Sequence, residues 1–334
     1  MAENNPVSLS SIARTYKISP NHFERQYKEH LSGYDEWDQK ESAEKGIIFP
    51  KNITDSISID ETAISNGELY TILTNKKAHG KKGALIAMCK GTSSKEIIPI
   101  LSKMPLELRE KVKEVTLDMS VPMSLMIKAT FPNTIFVIDR FHVQKLVTEA
   151  VQYLRILIRQ EVMKSENEER KKSRLDGKRF IPVIYSNGDS KRQLVVRSRY
   201  LLFKPSNKWS ERQKNRAEIL FREYPSLEKA YNLSMMFRSF YEHSKTKEEA
   251  KENLDKWYKK IELKKEQQAS YIDPFLTLVE TIKLHENNIL NYFNNRSTNA
   301  SAESFNAKIK GFRSLVRGVR DQKFFLFRIA KLFG

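Results

Sequence analysis

Apolar and polar positions change period along the chain, and the changes mark out its elements. SISIDETAI (56–64) alternates Ile57 and Ile59 with polar neighbours, a period of two that predicts a half-buried strand. Asn66-Gly67 then favours a tight hairpin turn, and ELYTILTNK reads as the returning strand. ALIAMCK (84–90) is a third strand, and SSKEIIPILSKM (93–104) sets Ile97, Ile100 and Leu101 on one helical face. VKEVTLDMS (112–120) is a strand ending on Asp118, and VPMSLMIKATF (121–131) is a helix with Pro122 in its first turn. TIFVIDRFH (134–142) is a continuous apolar run, the pattern of a central strand buried on both faces. VQKLVTEAVQYLRILIRQEV (143–162) is a long amphipathic helix. This alternation of strands and helices predicts an α/β domain.

The flanks read differently. Residues 8–34 have the pattern of a helix-turn-helix, with Ile18-Ser19-Pro20 as the turn and Asn21, His22, Arg25, Gln26 and Lys28 on the second helix; plain helical packing is the competing reading. Residues 35–54 read as a polar connection. From 165 to 290 the chain is charged and helical after an opening of loop and strand (165–200). Its helix starts are marked by Ser210-x-x-Gln213, Thr246-x-x-Glu249 and Asp273-Pro274. Ala250, Leu254, Trp257 and Ile261 share one face. Residues 297–333 return to an amphipathic helix, which Gly311 and Gly318 are placed to break. Phe305, Ile309, Phe312 and Val316 form its apolar stripe, with Glu303, Asn306 and Lys310 roughly opposite. The expected division is 1–50, 51–164, 165–290 and 291–334.

Charge changes the picture. The 334 residues hold 59 Lys and Arg against 41 Asp and Glu, a formal net charge of +18. Such self-repulsion is most readily accepted by a chain whose partner is a polyanion. The basic residues cluster in KKAHGKK (76–82, with Lys76, Lys77, Lys81 and Lys82), RKKSRLDGKR (170–179) and AKIKGFR (307–313). No apolar run is long enough to span a membrane, and the first residues lack a secretory pattern, so a cytoplasmic, nucleoid-associated protein is expected. The single cysteine, Cys89, excludes an internal disulfide and multi-cysteine zinc sites, and the six scattered histidines give no zinc spacing.

Three carboxylates stand in unusual places: Asp60 on an apolar strand, Asp118 at the end of another, and Glu303 among small residues. Each has an ordinary reading, Asp60 as a hairpin cap beside its competitor Glu61, Asp118 as a helix N-cap, Glu303 as a solvated helix residue. Together they supply oxygen ligands from three separate elements, which suits Mg²⁺ or Mn²⁺. Two such ions about 3.5–4 Å apart serve phosphodiester displacement. Asp139 and His142 form a further D-x-x-H, and Asp139 is the alternative ligand.

SIDETA, TLDMS, VIDRFHVQKL, SRYLLFKPSNKWSE and NASAESFNAKIK resemble bacterial insertion-sequence transposases of the ISL-three family, from about residue 8 to the end. The resemblance implies a ribonuclease H-like core: a mixed five-stranded sheet with helices, interrupted by a mainly helical insertion and preceded by the small helix-turn-helix. It implies Asp60, Asp118 and Glu303 as the catalytic, two-ion site, with Asp139 and His142 as accessories. The implied activity is metal-dependent cleavage of element ends and transfer of their 3′-hydroxyls into target DNA, by a homo-oligomer on double-stranded DNA. Asn21, His22, Arg25, Lys76, Lys77, Lys81, Lys82, Asn306 and Lys310 are the candidate DNA contacts. One departure stands out: the family's N-terminal cysteine-rich zinc segment is missing, which implies a shortened protein or a separate small zinc-binding polypeptide. A non-catalytic DNA-binding regulator and a structure-specific nuclease on the same fold are the alternatives.

Overall fold

The computed structural model describes residues 2–65, 67–316 and 321–334. It comprises two compact units, Met1–Asp139 with Asn295–Gly334, and Arg140–Asn294.

The first unit opens with two short helices, α1 (Leu9–Thr15) and α2 (Pro20–Gln26). Ser8 caps α1 by accepting from the Ser11 N–H, and Pro20 occupies the first turn of α2. Six strands follow: β1 (Gly46–Ile48), β2 (Ser56–Ser65), β3 (Glu68–Asn75), β4 (Leu85–Lys90), β5 (Glu114–Leu117) and β6 (Ile135–Ile138). They form one mixed sheet in the order β1-β4-β3-β2-β5-β6. The first four strands pair antiparallel, and β2/β5 and β5/β6 pair parallel. The hairpin expected at 66–67 joins β2 to β3, registered from Ile57↔Asn75 to Ser65↔Glu68; Asn66 itself lies outside the described residues. Helices α3 (Ser94–Leu101), α4 (Leu106–Arg109) and α5 (Val121–Thr130) make the crossovers that the parallel strands require. Ser120 caps α5 by accepting from the Met123 N–H, so the capping role considered for Asp118 belongs to Ser120.

The sheet differs from expectation in two ways. It has six strands, because three residues of the 35–54 connection form β1 beside β4. Gln39 holds β1's outer edge, accepting from the Ile48 N–H (2.8 Å) and donating to the Ile48 carbonyl (2.9 Å). Nor is the 134–142 run central: β6 is four residues at the sheet edge, and Ile135 is 46% exposed. An apolar run reports contact on its faces, whereas the number of neighbouring strands is decided by pairing.

The second unit is helical: α6 (Arg140–Leu175), α7 (Lys191–Arg197), α8 (Glu211–Glu223), α9 (Pro225–His243), α10 (Lys247–Glu266), α11 (Asp273–Leu284), α12 (Glu286–Leu290) and α13 (Tyr292–Asn295), the last ending at the return to the first unit. The 36 residues of α6 run through the expected division at 164/165 and absorb the start of the segment read as loop and strand. Only an isolated bridge, Ile184↔Ser190, represents strand there among the described residues. Ser210 and Gln213 form the full capping box of α8. Thr246 accepts from the Glu249 N–H, while the Glu249 carboxylate turns to the Lys245 N–H (2.7 Å). Ala250, Leu254, Trp257 and Ile261 are all buried, as their spacing predicts.

Two last helices complete the first unit, α14 (Ala300–Leu315) and α15 (Gln322–Phe333). Gly311 is passed without a break, and Gly318 lies outside the described residues. Phe305, Ile309 and Phe312 of α14 and Phe325, Leu326 and Ile329 of α15 bury against Ile64, Tyr70, Ile72 and Met88 of the sheet. A second cluster joins Leu9, Ile12, Tyr27 and Tyr34 to Phe324 and Phe327, so the N-terminal helices are packed on α15. No helix among the described residues is long and apolar enough to cross a membrane.

Candidate active site

The parallel register relates the three aspartates of the sheet, Asp60 in mid-β2 and Asp118 and Asp139 just past the ends of β5 and β6. β2 and β5 pair as far as Ser58↔Thr116, and β5 and β6 as far as Leu117↔Ile138. Continuing the first register by two residues and the second by one sets Asp60, Asp118 and Asp139 at one level on three adjacent strands. Neighbouring strands lie roughly 5 Å apart, so Asp118 stands between the other two. Glu114, Thr116 and Asp118 alternate along β5 and so share a face.

Helix α14 covers that face. Asn306 donates from Nδ2 to Asp60 Oδ2 (2.7 Å), and the Glu61 N–H donates to Asp60 Oδ1 (2.8 Å). Glu61, the competitor of Asp60, points to the opposite side of the strand; burial and the Asp60 charge raise its pKa. Asn299, just before α14, donates from its N–H to Asp139 Oδ1 and from Nδ2 to the Ile59 carbonyl (both 3.3 Å). Asp139 is only 2% exposed. Glu303 sits exposed in the first turn of α14 and offers a carboxylate oxygen within 4.8 Å of one on Asp139.

The segment before α14 is fixed by a partly buried polar network that the sequence pattern does not by itself reveal. The Lys76 ammonium donates to Thr116 Oγ1 (2.7 Å) and to Ser297 Oγ, and lies 3.6 Å from Glu114. Glu114 also accepts from Ser297 Oγ, from Asn295 Nδ2 (2.6 Å) and from Ser56 Oγ (3.3 Å). Burial lowers the Lys76 pKa, against the opposing pull of Glu114 and Asp139. Arg296, within this turn, has φ +56°, a left-handed conformation that costs a non-glycine residue about 1 kcal/mol. One signal for the network was available: Glu114 shares its alternation with Thr116 and Asp118.

Several expected DNA contacts lie elsewhere than the sequence reading put them. Asn306 is 5% exposed and serves Asp60. At 100° per residue it lies only roughly 40° from buried Ala302, inside the arc that α14 turns to the sheet. Lys76 belongs to the network around Glu114, and Lys77 pairs with Asp55 at 2.7 Å. Lys81, Lys82 and Lys310 are exposed, as are Asn21, His22 and Arg25 on α2. Lys28 pairs with Asp321, the N-cap residue of α15, at 2.6 Å. His142 stands three residues beyond Asp139, in the first turn of α6.

The donors fit a hard divalent cation. They are oxygens, and two buried amide oxygens beside the carboxylates, Asn299 Oδ1 and Asn306 Oδ1, have no hydrogen-bond partner among the described residues. Cys89 is buried with its thiol pushed up to about 12, outside the range of a thiolate ligand.

A family model described as a transposase, of the ISL-three type, matches residues 57–329, a stretch that contains all four carboxylates. No curated protein and no solved structure gives a significant match. With the family match covering most of its length, the chain belongs to the ISL-three transposase family.

Proposed function

We propose that this transposase cuts the ends of a DNA element and joins the freed 3′-hydroxyls to target DNA, with Asp60, Asp118 and Glu303 as its principal carboxylates and Asp139 beside them. The observation that carries this reading is the common level of three aspartates across β2, β5 and β6, with Glu303 brought against Asp139 by α14.

Two divalent ions held by these residues would activate the attacking oxygen and stabilise the leaving one. The chain's own part is positioning. Asn306 and the Glu61 N–H hold Asp60 in one orientation, and the Asn299 N–H does the same for Asp139. The Lys76–Glu114 network fixes the turn from which α14, and so Glu303, starts. Water attacks first, at the element end; the exposed 3′-hydroxyl attacks second, in the target. Lys81, Lys82 and Lys310 are exposed and available to phosphates.

The test is cleavage and joining of a labelled duplex carrying an element end, in Mg²⁺. Asp60→Asn, Asp118→Asn and Glu303→Gln are expected to lose several orders of magnitude in cleavage rate, since stabilisation by a bound ion is worth several kcal/mol. DNA binding should be retained or slightly tighter, because a repelling charge is gone. Full cleavage by Glu303→Gln would overturn the assignment, and cutting without joining would identify a nuclease.

A further inference from the structure

We infer that the helical unit carries its own binding groove for the phosphodiester backbone of DNA, built by arginines of α6 and α7 and separate from the carboxylate site. The inference rests on the transposase reading for the identity of the polyanion, and on the second unit alone for the site.

Side chains of α6, α7 and the 182–190 segment enclose an open groove of about 470 Å³, with Arg159, Arg170, Arg192 and Arg197 on its wall. Two carboxylates lie close by, and both are taken. Glu166 accepts from Arg170 at 2.6 Å. Asp189 is fully buried and is shared between Arg197 (2.5 Å) and Arg216 (2.7 Å). Arg159, Arg192 and Arg199 have no acidic group within ion-pair distance among the described residues, and all three are exposed.

Beneath them lies another guanidinium. Arg155 is 5% exposed and donates to Gln152 Oε1 (2.7 Å) and to the Val195 carbonyl of α7 (3.3 Å). Burial lowers its pKa, and the neighbouring charges that add to this are Arg199 and Arg159. Arg155, Arg159 and Arg199 therefore repel one another in the free protein, and an anion held at Arg159 on the groove wall offsets part of that cost.

The rest of the wall suits a nucleic-acid backbone. Pro182, Ile184 and Val196 give it an apolar side on which sugars can pack. Outside the wall, just beyond α7, Tyr200 is 67% exposed and lies under the Arg199 guanidinium (5.5 Å). Guanidinium groups match phosphate oxygens in pairs, and several spread over two helices follow successive phosphates better than one small anion.

The experiment is fluorescence anisotropy of the full-length protein on a random-sequence duplex across a KCl titration. Each phosphate contact contributes about 0.9 to the slope of log K against log salt. Arg159→Gln/Arg192→Gln/Arg199→Gln should make the slope shallower by about 2–3, and the corresponding triple Lys variant should keep it. Arg192→Glu, a single change at an exposed position, should by itself lower the slope by about 1 or more and so covers a triple variant that fails to fold. An unchanged slope in a folded triple Gln variant or in Arg192→Glu overturns the proposal. Asp60→Asn separates the two readings, since it should bind with the wild-type slope. If wild type binds with these slopes and never cuts, the catalytic reading fails and the groove stands; if it cuts and the arginine variants keep their slope, only the groove fails.

Discussion

Lys76 and Glu114 carry opposite charges at 15% and 7% side-chain exposure, within a ring of hydroxyl and amide groups contributed by Thr116, Ser297 and Asn295. Removing one partner leaves a buried charge uncompensated, which typically costs about 3–5 kcal/mol, whereas removing both can be nearly neutral. Lys76→Met and Glu114→Gln should therefore each lower unfolding stability by about 3 kcal/mol, and the double variant should recover most of that. The double variant should still cleave slowly, because Ser297 keeps only uncharged partners in the turn before Glu303. Denaturant unfolding and single-turnover cleavage measure the two effects; additive losses in stability would show that the residues do not act as a pair.

Among the elements, the helical unit shows how a loop and two helices are tied through one carboxylate. Asp189 follows a turn in which its N–H and one oxygen both bond Asn187, and it binds Arg197 at the end of α7 and Arg216 of α8. Burial raises its pKa, but hydrogen bonds from Arg216 and Arg197 outweigh that and hold the carboxyl below its ordinary range. A carboxyl lowered on folding contributes stability above its unfolded pKa, near 4, and loses it as pH falls through the folded value. Asp189→Asn should thus be least stable relative to wild type at neutral pH, and the two should converge in acid. Denaturant melts from pH ~7 down to pH ~3 test this, and a gap that stays constant would exclude the linkage.

At the scale of the whole molecule, the N-terminal helices are part of the first unit's core. Phe327 is 2% exposed and meets Tyr34 and Trp37 edge-on, at 5.3 and 5.5 Å. Arg328, also on α15, donates to the carbonyls of Ala2 (2.9 Å) and Val7 (3.2 Å) and lies over the Tyr27 ring. Phe327→Ala should cost about 3–5 kcal/mol, with protease cleavage appearing early within residues 1–40. Removal of residues 1–50 should lower the melting temperature as well as DNA affinity, because it strips Phe324 and Phe327 and deletes β1. A truncated protein that melts like the full chain would show that this block is an independent appendage.

Much of this was legible in one dimension. Alternation placed β2 and β5, the tight turn after β2 placed β3, a short apolar run placed β4, Pro122 marked the start of α5, and 3.6-residue spacing placed α3, α10 and the buried stripe of α14, because these patterns follow from backbone geometry and burial. The unusual carboxylates Asp60, Asp118 and Asp139 were visible because an acid on or beside an apolar strand is costly without a purpose, and Glu303 because it stands among small residues. What only the tertiary structure decided depends on pairing between distant segments. Register set three aspartates at one level, edge position was settled by which strands β6 lacked, and Glu114 met Ser297 and Asn295 across more than 180 residues of chain. Asn306 and Lys76 show the same limit: both are polar residues that composition assigns to the surface, yet Asn306 is buried and Lys76 mostly withdrawn from solvent because a charged partner, Asp60 or Glu114, awaits each of them in the fold.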